Sequence, residues 1–473
     1  MPDLVHIPSG YAFPRGVIKR CFPTFTALLL ALLVCVVIPT SLIAIRIAEN
    51  PRVSPIDEAA QFDYVSRMAD ASMPRLGQYL LPSTLKMMSC TGMALEYPRL
   101  PPCPGTRSPR SYPGGGYQYE AQQPPSYYAI TVPFRWIGVH LFGMSNLTAS
   151  RAPGVLWVSA GLLALWMAGC LAGIPRRHLI PALLFLATAP VAIYHASIVS
   201  NDIPTLFAGS VVAFLGVLAW RSPGRWTAPT MFVAAAIVTS FKLNDVLAVL
   251  VVSCVLAIAH WTALREEGDS RQASARPWLR EWGRSGGMLL AGAALMLLAW
   301  TFIDTHLNLV DPRTFQAFSS RRQGSIGFSL IARESIEMLN PLTGSYHPFR
   351  TNADGSTIGS ALSLKLQSVT ATLTELLFLS GALAGLVVRP RKCPHWLGVL
   401  SLVVLYVGGL VLGFVVWRTY KDDPGVTGRY GLCVAPLLAL ALASSIRRRW
   451  AVYGLWVFSL ATLGLTYTYL LAP

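Results

Sequence analysis

The chain has 473 residues, of which 53% are hydrophobic and only 13% are charged, and its mean hydropathy is +0.50. Soluble domains are typically about 25% charged, so the composition excludes an ordinary soluble globular protein. The net charge of +16 comes from basic residues scattered between apolar segments, which argues against a nucleic-acid-binding surface. It favours contact with membrane lipids, an anionic lipid surface or an anionic lipid substrate.

Apolar segments of roughly 20 residues recur along the chain, and this length matches the hydrocarbon core of a bilayer. The segments are continuous rather than alternating, which predicts helices and not a barrel. We therefore predict an all-α polytopic membrane protein with about 11 transmembrane helices. The first segment is too long for a signal-peptide core and lacks a small-residue cleavage site, which indicates a retained signal anchor. The predicted spans are residues 22–48, 152–174, 179–200, 203–220, 228–241, 246–261, 286–303, 362–388, 397–417, 430–446 and 451–471.

The apolar segment Pro124–Gly143 is ambiguous because it carries Arg135 near its middle. Short cytoplasmic loops are enriched in Lys and Arg. If this segment does not cross the membrane, all the basic clusters between spans fall on the side of the amino terminus. We therefore predict a juxtamembrane helix along the outer interface, with Tyr127, Tyr128 and Trp136 as interfacial anchors.

This topology divides the chain into five parts and places two long loops outside. Cys90 and Cys103 lie in one polar segment of the first outer loop, where a disulfide can form. The parts are a cytoplasmic N-terminus with the first transmembrane helix (1–48), the first extracytoplasmic loop with the acidic motif and the juxtamembrane helix (49–151), transmembrane helices 2–7 (152–303), the second extracytoplasmic loop (304–361) and transmembrane helices 8–11 (362–473).

Ionisable residues stand at the predicted outer ends of several spans. Asp57 and Glu58 follow the first span in SPIDEAAQFDY, and alone they are as well explained by a solvated pair at a helix start. Asp202 follows the third predicted span, Lys242 the fifth, and Arg429 precedes the tenth. Snorkelling would explain either cation alone. Acids and bases converging on one face at membrane boundaries, where charge is costly, indicate a functional site.

Several short motifs together resemble the GT-C superfamily of membrane glycosyltransferases. They are PIDEAAQFDY after the first span, YEAQQPPSYY (Tyr119–Tyr128), Asp202, the Thr239–Lys242 end of the fifth span, and GRY (Gly428–Tyr430). The resemblance covers about residues 24–446 and is nearest to the bacterial polyprenyl-phosphate mannose and aminoarabinose transferases. It implies a bacterial cytoplasmic (inner) membrane protein with an extracytoplasmic active site. Its partners would be a polyprenyl-phosphate-linked sugar and a cell-envelope glycan, lipid or protein acceptor.

The resemblance also implies roles for individual residues. Asp57 would deprotonate the acceptor hydroxyl for in-line attack on the anomeric carbon, with inversion, while Glu58 orients its neighbours and Asp202 assists. The residues expected to bind the donor phosphate are Lys242, Arg429, Tyr430, Arg321 and Arg322. Those expected to position the donor or acceptor are Gln61, Gln123 and Tyr127.

This chain departs from the family pattern at two positions. Relatives often have His where this sequence has Gln61 in the acidic motif and Gln123 before Pro124–Pro125. Glutamine is a poor metal ligand, so the sequence requires no cofactor and predicts no metal ligands, although a divalent metal stays an open alternative.

Two other functions compete with the transferase. A lipid-linked glycan ligase or polymerase would suit the loop FSSRRQGSIGF and His347. A secondary transporter would suit the number of spans, but transporters tend to have inverted repeats, and none is evident in this sequence.

Overall fold

A computed structural model of the chain describes residues 21–93, 100–105, 108–267, 275–310, 328–342, 376–377, 379–384, 393–420, 427–446 and 448–471. Within these ranges the regular structure is helical and no β-strand occurs. The principal helices are α1 (Phe25–Glu49), α2 (Glu58–Ala69), α3 (Pro82–Thr91), α4 (Ser126–Phe142), α5 (Asn146–Ala172), α6 (Arg176–Ala187), α7 (Pro190–Ala196), α8 (Ile203–Arg221), α9 (Thr227–Thr239), α10 (Val246–Glu267), α11 (Ala275–Trp282), α12 (Met288–Leu307), α13 (Phe328–Glu337), α14 (Cys393–Tyr420), α15 (Ala435–Ser445) and α16 (Arg449–Leu471).

The helices agree with an all-α polytopic protein, but they do not confirm eleven spans. Among the described residues, eight helices are long and apolar enough to cross a membrane, or up to nine if the bent pair α6–α7 is one span. Helix α9, at the predicted fifth span, is apolar but has only 13 residues. The predicted span 362–388 lies mostly outside the described residues, as does most of the predicted second outer loop.

The predicted third span is broken into α6 and α7, which meet at a 56° bend. Pro190 begins α7, and Ala189 before it is extended (φ −61°, ψ 126°). A residue before proline is disfavoured in the helical region, so the helix stops at this point. Helix α7 then ends at Ala196, and a buried turn, residues 197–202, leads into α8. The broken helix thus ends inside the fold and delivers Asp202 to its interior.

Close backbone contacts draw α8 against the segment that carries Arg429. A Cβ added at Gly209 of α8 would meet the carbonyl oxygen of Cys433, well inside van der Waals contact. Cys433 belongs to a short 3₁₀ segment, Gly428–Val434, which precedes α15. Small residues allow helix backbones in membranes to approach closely. Glycine at position 209 therefore brings the helix that starts after Asp202 against the segment that contains Arg429.

The first loop folds around α2 and α3, with Asp63 at its centre. This fully buried carboxylate accepts hydrogen bonds from Arg67 Nε at 2.7 Å, the backbone N–H of Leu81 at 2.6 Å and Thr84 Oγ1 at 2.9 Å. Buried carboxylates require such compensation. The same region contains the Cys90–Cys103 disulfide, which confirms the predicted pairing.

Helix α4 covers the ambiguous segment and is not among the candidate spans. Trp136 is 56% exposed, in agreement with an interfacial anchor. The assignment of Tyr127 and Tyr128 as anchors is wrong, because their side chains are only 2% and 0% exposed. The first turn of α4 packs into the protein, where Tyr128 stacks on Tyr64 with ring centroids 3.8 Å apart. The position of α4 relative to the membrane stays a prediction.

Candidate functional site

Asp57 stands immediately before α2 in a left-handed backbone conformation (φ 59°, ψ −8°). Aspartate tolerates this region better than most residues, but such a conformation still costs roughly 1–3 kcal/mol. The side chain makes no capping bond to α2. Instead its Oδ2 lies 2.7 Å from Nη2 of Arg429, and it stays 22% exposed. The local geometry therefore turns a partly accessible carboxylate towards a distant cation.

Arg429 is shared between two carboxylates. Its Nη1 lies 3.3 Å from Oδ2 of Asp202, and the other oxygen of Asp202 forms an ion pair with Lys242. Asp202 is 1% exposed and Lys242 5% exposed, so this part of the network is buried. The four ionisable residues expected at the ends of separate spans, Asp57, Asp202, Lys242 and Arg429, thus form one connected group.

The cations keep Asp202 ionised. Burial by itself raises the pKa of an aspartate, but here Lys242 and then Arg429 outweigh burial and hold the pKa of Asp202 well below its usual range. The Tyr430 ring lies between the same two cations, with its centroid 4.9 Å from Lys242 Nζ and 5.4 Å from Arg429 Cζ. Tyr430 therefore contributes cation–π contacts to both cations at the expected phosphate site.

Two hydrogen-bond donors near Asp57 and Asp202 have no partner in the described structure. Arg429 Nε is buried without a hydrogen-bond partner among the described residues, and so is Oγ1 of Thr427, two residues earlier. Buried polar atoms normally have partners, and an unsatisfied one indicates a role outside the fold. Both donors are therefore left unsatisfied by the described protein atoms.

Glu58 has different surroundings from its neighbour Asp57. It is fully buried, and its two oxygens accept from Arg151, from the backbone N–H of Ser54 at 2.6 Å and from that of Val199 at 2.9 Å. These donors occupy the acceptor positions of the carboxylate. The Glu58 carboxylate is thus enclosed by protein donors, whereas the Asp57 side chain stays partly exposed.

Two of the residues expected to position the donor or acceptor, Gln61 and Tyr127, bond the backbone just before Asp202. Gln61 Oε1 accepts from the backbone N–H of Asn201 at 2.6 Å, and the Tyr127 hydroxyl accepts from that of Ser200 at 3.0 Å. Both side chains are almost fully buried, so they support the turn before Asp202. Gln123 uses its backbone carbonyl to accept from Tyr64 Oη at 3.0 Å, while its own buried Oε1 has no partner in the described structure. Arg321 and Arg322 lie outside the described residues.

Two residues of the YEAQQPPSYY tract, Tyr119 and Glu120, join the site although the sequence suggested no role for either. Tyr119 hydrogen-bonds Asp57; burial raises the pKa of Tyr119 well above its usual range, and the nearby Asp57 charge adds to the shift. Burial raises the pKa of Glu120 to about 8, and the nearby Asp57 charge adds to the shift. Glu120 is therefore protonated at neutral pH. The only sequence signal for these residues was the resemblance of the tract that contains them.

Sequence reasoning also missed His195 and Arg151. His195, at the end of α7, places Nδ1 3.0 Å from Ser200 Oγ and 3.4 Å from Asp202 Oδ2. Arg151 lies within α5, 2% exposed, and binds Glu58 from 93 residues away. Neither residue stands in a recognisable motif, and Arg151 at the edge of an apolar run looks like an ordinary flanking cation. Only the folded arrangement reveals their contacts.

In the described part of the chain, no group of three or more His, Cys, Asp or Glu side chains is placed to hold a metal ion. The expectation that no metal is required stays a prediction. No protein-family model matches the chain, and neither a curated protein nor a solved structure matches it significantly.

Proposed function

We propose that this chain is a membrane glycosyltransferase that transfers a single sugar from a polyprenyl-phosphate donor to an acceptor hydroxyl. The observation that carries the proposal is the shared cation: Arg429 binds the partly exposed Asp57 and the buried Asp202–Lys242 pair at once. A base for an acceptor and cations for a phosphate are thus adjacent. These are the two charge types that a displacement at a phosphate-linked carbon requires.

In the proposed reaction Asp57 accepts the proton of the acceptor hydroxyl. The hydroxyl oxygen then bonds to the anomeric carbon as the bond between that carbon and the phosphate oxygen breaks. The leaving lipid phosphate keeps the electron pair, and Arg429 and Lys242 stabilise its developing charge. A single displacement inverts the configuration at the anomeric carbon. Asp202 holds both cations in place, and Tyr119 orients Asp57 through their hydrogen bond.

The proposal is tested by the variant Asp57→Asn, which removes the base with almost no change in shape. We expect transfer to fall by about 10²–10⁴-fold, the usual contribution of a general base, while the donor lipid still binds. Transfer is measured in membranes with a panel of radiolabelled polyprenyl-phosphate sugars. Asp70→Asn, at the exposed far end of α2, is the matched control and should keep full activity.

Glu58→Gln completes this test. We expect it to cost less than Asp57→Asn, because Glu58 contacts the scaffold and not the open side of the site. If Asp57→Asn is active and Glu58→Gln is inactive, Glu58 is the base and Asp57 the orienting residue. Full activity of both variants would refute the proposed transferase function.

The donor class separates this function from the ligase or polymerase. Transfer of one sugar from a lipid monophosphate supports the proposal. Transfer of a whole glycan from a lipid diphosphate, with no reaction of the monophosphate, would refute the transferase proposal and support a ligase or polymerase.

A further inference from the structure

The turn before Asp202 is held by side chains that come from the first loop. Three consecutive backbone N–H groups of this turn donate to three separate acceptors. No regular helix or strand satisfies these groups, so the first loop determines where the turn lies. The bonds run from Val199 to Glu58 Oε1 (2.9 Å), from Ser200 to Tyr127 Oη (3.0 Å) and from Asn201 to Gln61 Oε1 (2.6 Å).

One of these acceptors, Glu58, is itself fixed by Arg151. The guanidinium binds both carboxylate oxygens, with Nε 2.7 Å from Oε1 and Nη2 2.7 Å from Oε2. This two-point geometry fixes orientation as well as distance, which a single ammonium group would not do. The position of the Glu58 carboxylate, and with it the Val199 bond, therefore depends on Arg151.

Arg151 also binds the backbone that leads to Asp57. Its Nη1 donates to the carbonyl of Asn50 at 2.6 Å and its Nη2 to that of Arg52 at 2.7 Å. One side chain thus joins the segment before Asp57 to the turn before Asp202. These are the two carboxylates that share Arg429.

We propose that Arg151 is a positioning residue that sets the spacing of Asp57 and Asp202 around Arg429. This inference rests on the proposed transferase function, because the consequence of the spacing is a rate of transfer. Small displacements of reacting groups are costly: a shift of about 1 Å can reduce a rate by about 10²-fold.

A purely structural role for Arg151 predicts a different result, and the chain contains a matched control. Arg67 also pairs with a fully buried acid of the first loop, Asp63, at 2.7 Å, and it donates to the carbonyl of Tyr79 at 2.7 Å. In the described part of the chain, Arg67 makes no hydrogen bond to the turn before Asp202. If Arg151 only supports folding, Arg151→Lys and Arg67→Lys should have comparable effects, since both replace a forked guanidinium by an ammonium group.

The kinetic experiment compares these two variants in membranes, at equal amounts of folded protein. We expect Arg151→Lys to reduce kcat by about 10- to 100-fold with little change in the donor KM, because the reacting groups are displaced while the phosphate cations remain. Arg67→Lys should keep the wild-type kcat. Glu58→Gln, which is nearly isosteric, should reduce kcat in the same direction and serves if Arg151→Lys does not fold. Equal kcat values for wild type and Arg151→Lys, or equal losses in Arg151→Lys and Arg67→Lys, would overturn the proposal.

A second readout does not depend on activity. Val199 is fully buried, so a cysteine there should react slowly with a thiol reagent. In a Cys254→Ser background, which removes an exposed free thiol, we expect Arg151→Lys to accelerate labelling at position 199 and Arg67→Lys not to do so. Peptide mass spectrometry locates the label. Equal labelling in the two variants would show that Arg151 does not hold the turn.

The two readouts separate the two proposals. If the wild type transfers sugar from no polyprenyl phosphate, the proposed function fails. The labelling rates then still decide whether Arg151 positions the turn.

Discussion

Asp57 and Glu58 are neighbours in the chain, yet their carboxylates bind different cations. The left-handed conformation of Asp57 separates their directions, so that Asp57 reaches Arg429 while Glu58 reaches Arg151. The acidic pair itself was visible in the sequence. The resemblance implied separate roles for the two acids, but the sequence did not indicate their partners, because these lie 93 and 372 residues away.

The first prediction at this scale concerns Arg429. Arg429→Ala should weaken binding of a polyprenyl monophosphate by about 10- to 100-fold, because it removes a charged partner worth about 1.5–3 kcal/mol. The measurement is equilibrium binding of the labelled lipid to purified protein. Arg225→Ala, an exposed cation in the loop after α8, is the control for the lost charge and should bind normally. An unchanged affinity in Arg429→Ala would rule out its role at the phosphate.

The second prediction at the residue scale concerns the pH dependence of sugar transfer. Glu120 is neutral below its pKa of about 8, and above that pH it adds a carboxylate charge beside Asp57. We expect activity to fall as pH rises through about 8, since the added carboxylate charge repels the phosphate of the donor. Glu120→Gln stays neutral and should lose this alkaline fall. An identical pH profile in the variant would contradict the assignment.

The raised pKa of Glu120 also makes the stability of the protein depend on pH. The folded state holds the Glu120 proton between the ordinary value of 4.5 and about 8, whereas the unfolded state releases it. The free energy of unfolding from this group therefore decreases as pH rises across that window and is constant above it. Thermal unfolding of wild type and Glu120→Gln at pH 5 and pH 9 measures the difference.

At the scale of elements, the close contact between α8 and the Gly428–Val434 segment sets the distance between Asp202, which precedes α8, and Arg429. Gly209→Ala should lower both stability and transfer, because its Cβ would meet the backbone carbonyl of Cys433, which cannot rotate away. Gly454→Ala in α16 is the matched control, since an added Cβ there meets no atom within 4 Å. Thermal unfolding and transfer are measured for both. Wild-type behaviour of Gly209→Ala would show that the contact is not limiting.

Sequence patterns predicted most long helices but not their interruptions or their orientations. The bend between α6 and α7 follows from Pro190, but hydropathy alone reads through it as one span. Tyr127 and Tyr128 matched the composition of a membrane interface, yet both are buried against the first loop. Residue type alone cannot tell an aromatic side chain that faces lipid from one that packs against protein, because both environments are apolar.

The topology of the whole molecule gives a further prediction. Ser108 and Ser222 are both exposed, and the charge distribution predicts that they lie on opposite sides of the membrane. In a Cys254→Ser background, a membrane-impermeant thiol reagent applied to intact cells should label a cysteine at position 108 and not one at position 222. Permeabilised cells are the control and should allow both to react. Labelling of both positions in intact cells would overturn the arrangement.

At the scale of the whole molecule, the sequence predicted which charged residues come together better than it predicted which residues hold them in place. Asp57, Asp202, Lys242 and Arg429 stood out because each occupies the end of an apolar run, where a charge is costly. Arg151 and His195 gave no comparable signal. Arg151 binds Glu58 from 93 residues away, and His195 contacts Asp202 only because the chain turns between α7 and α8, so neither contact can be read from a local pattern.

The shared cation also dictates an order of assembly during synthesis. Lys242 follows Asp202 by 40 residues, whereas Arg429 follows it by 227 and follows Asp57 by 372. At about 5–20 residues per second, the ribosome needs roughly 10–45 s to travel the 227 residues from Asp202 to Arg429. Throughout that interval Arg429, the cation that pairs with Asp57, has not yet been synthesised. Once Arg429 has been synthesised, the chain contains all four residues of the ionic group, Asp57, Asp202, Lys242 and Arg429.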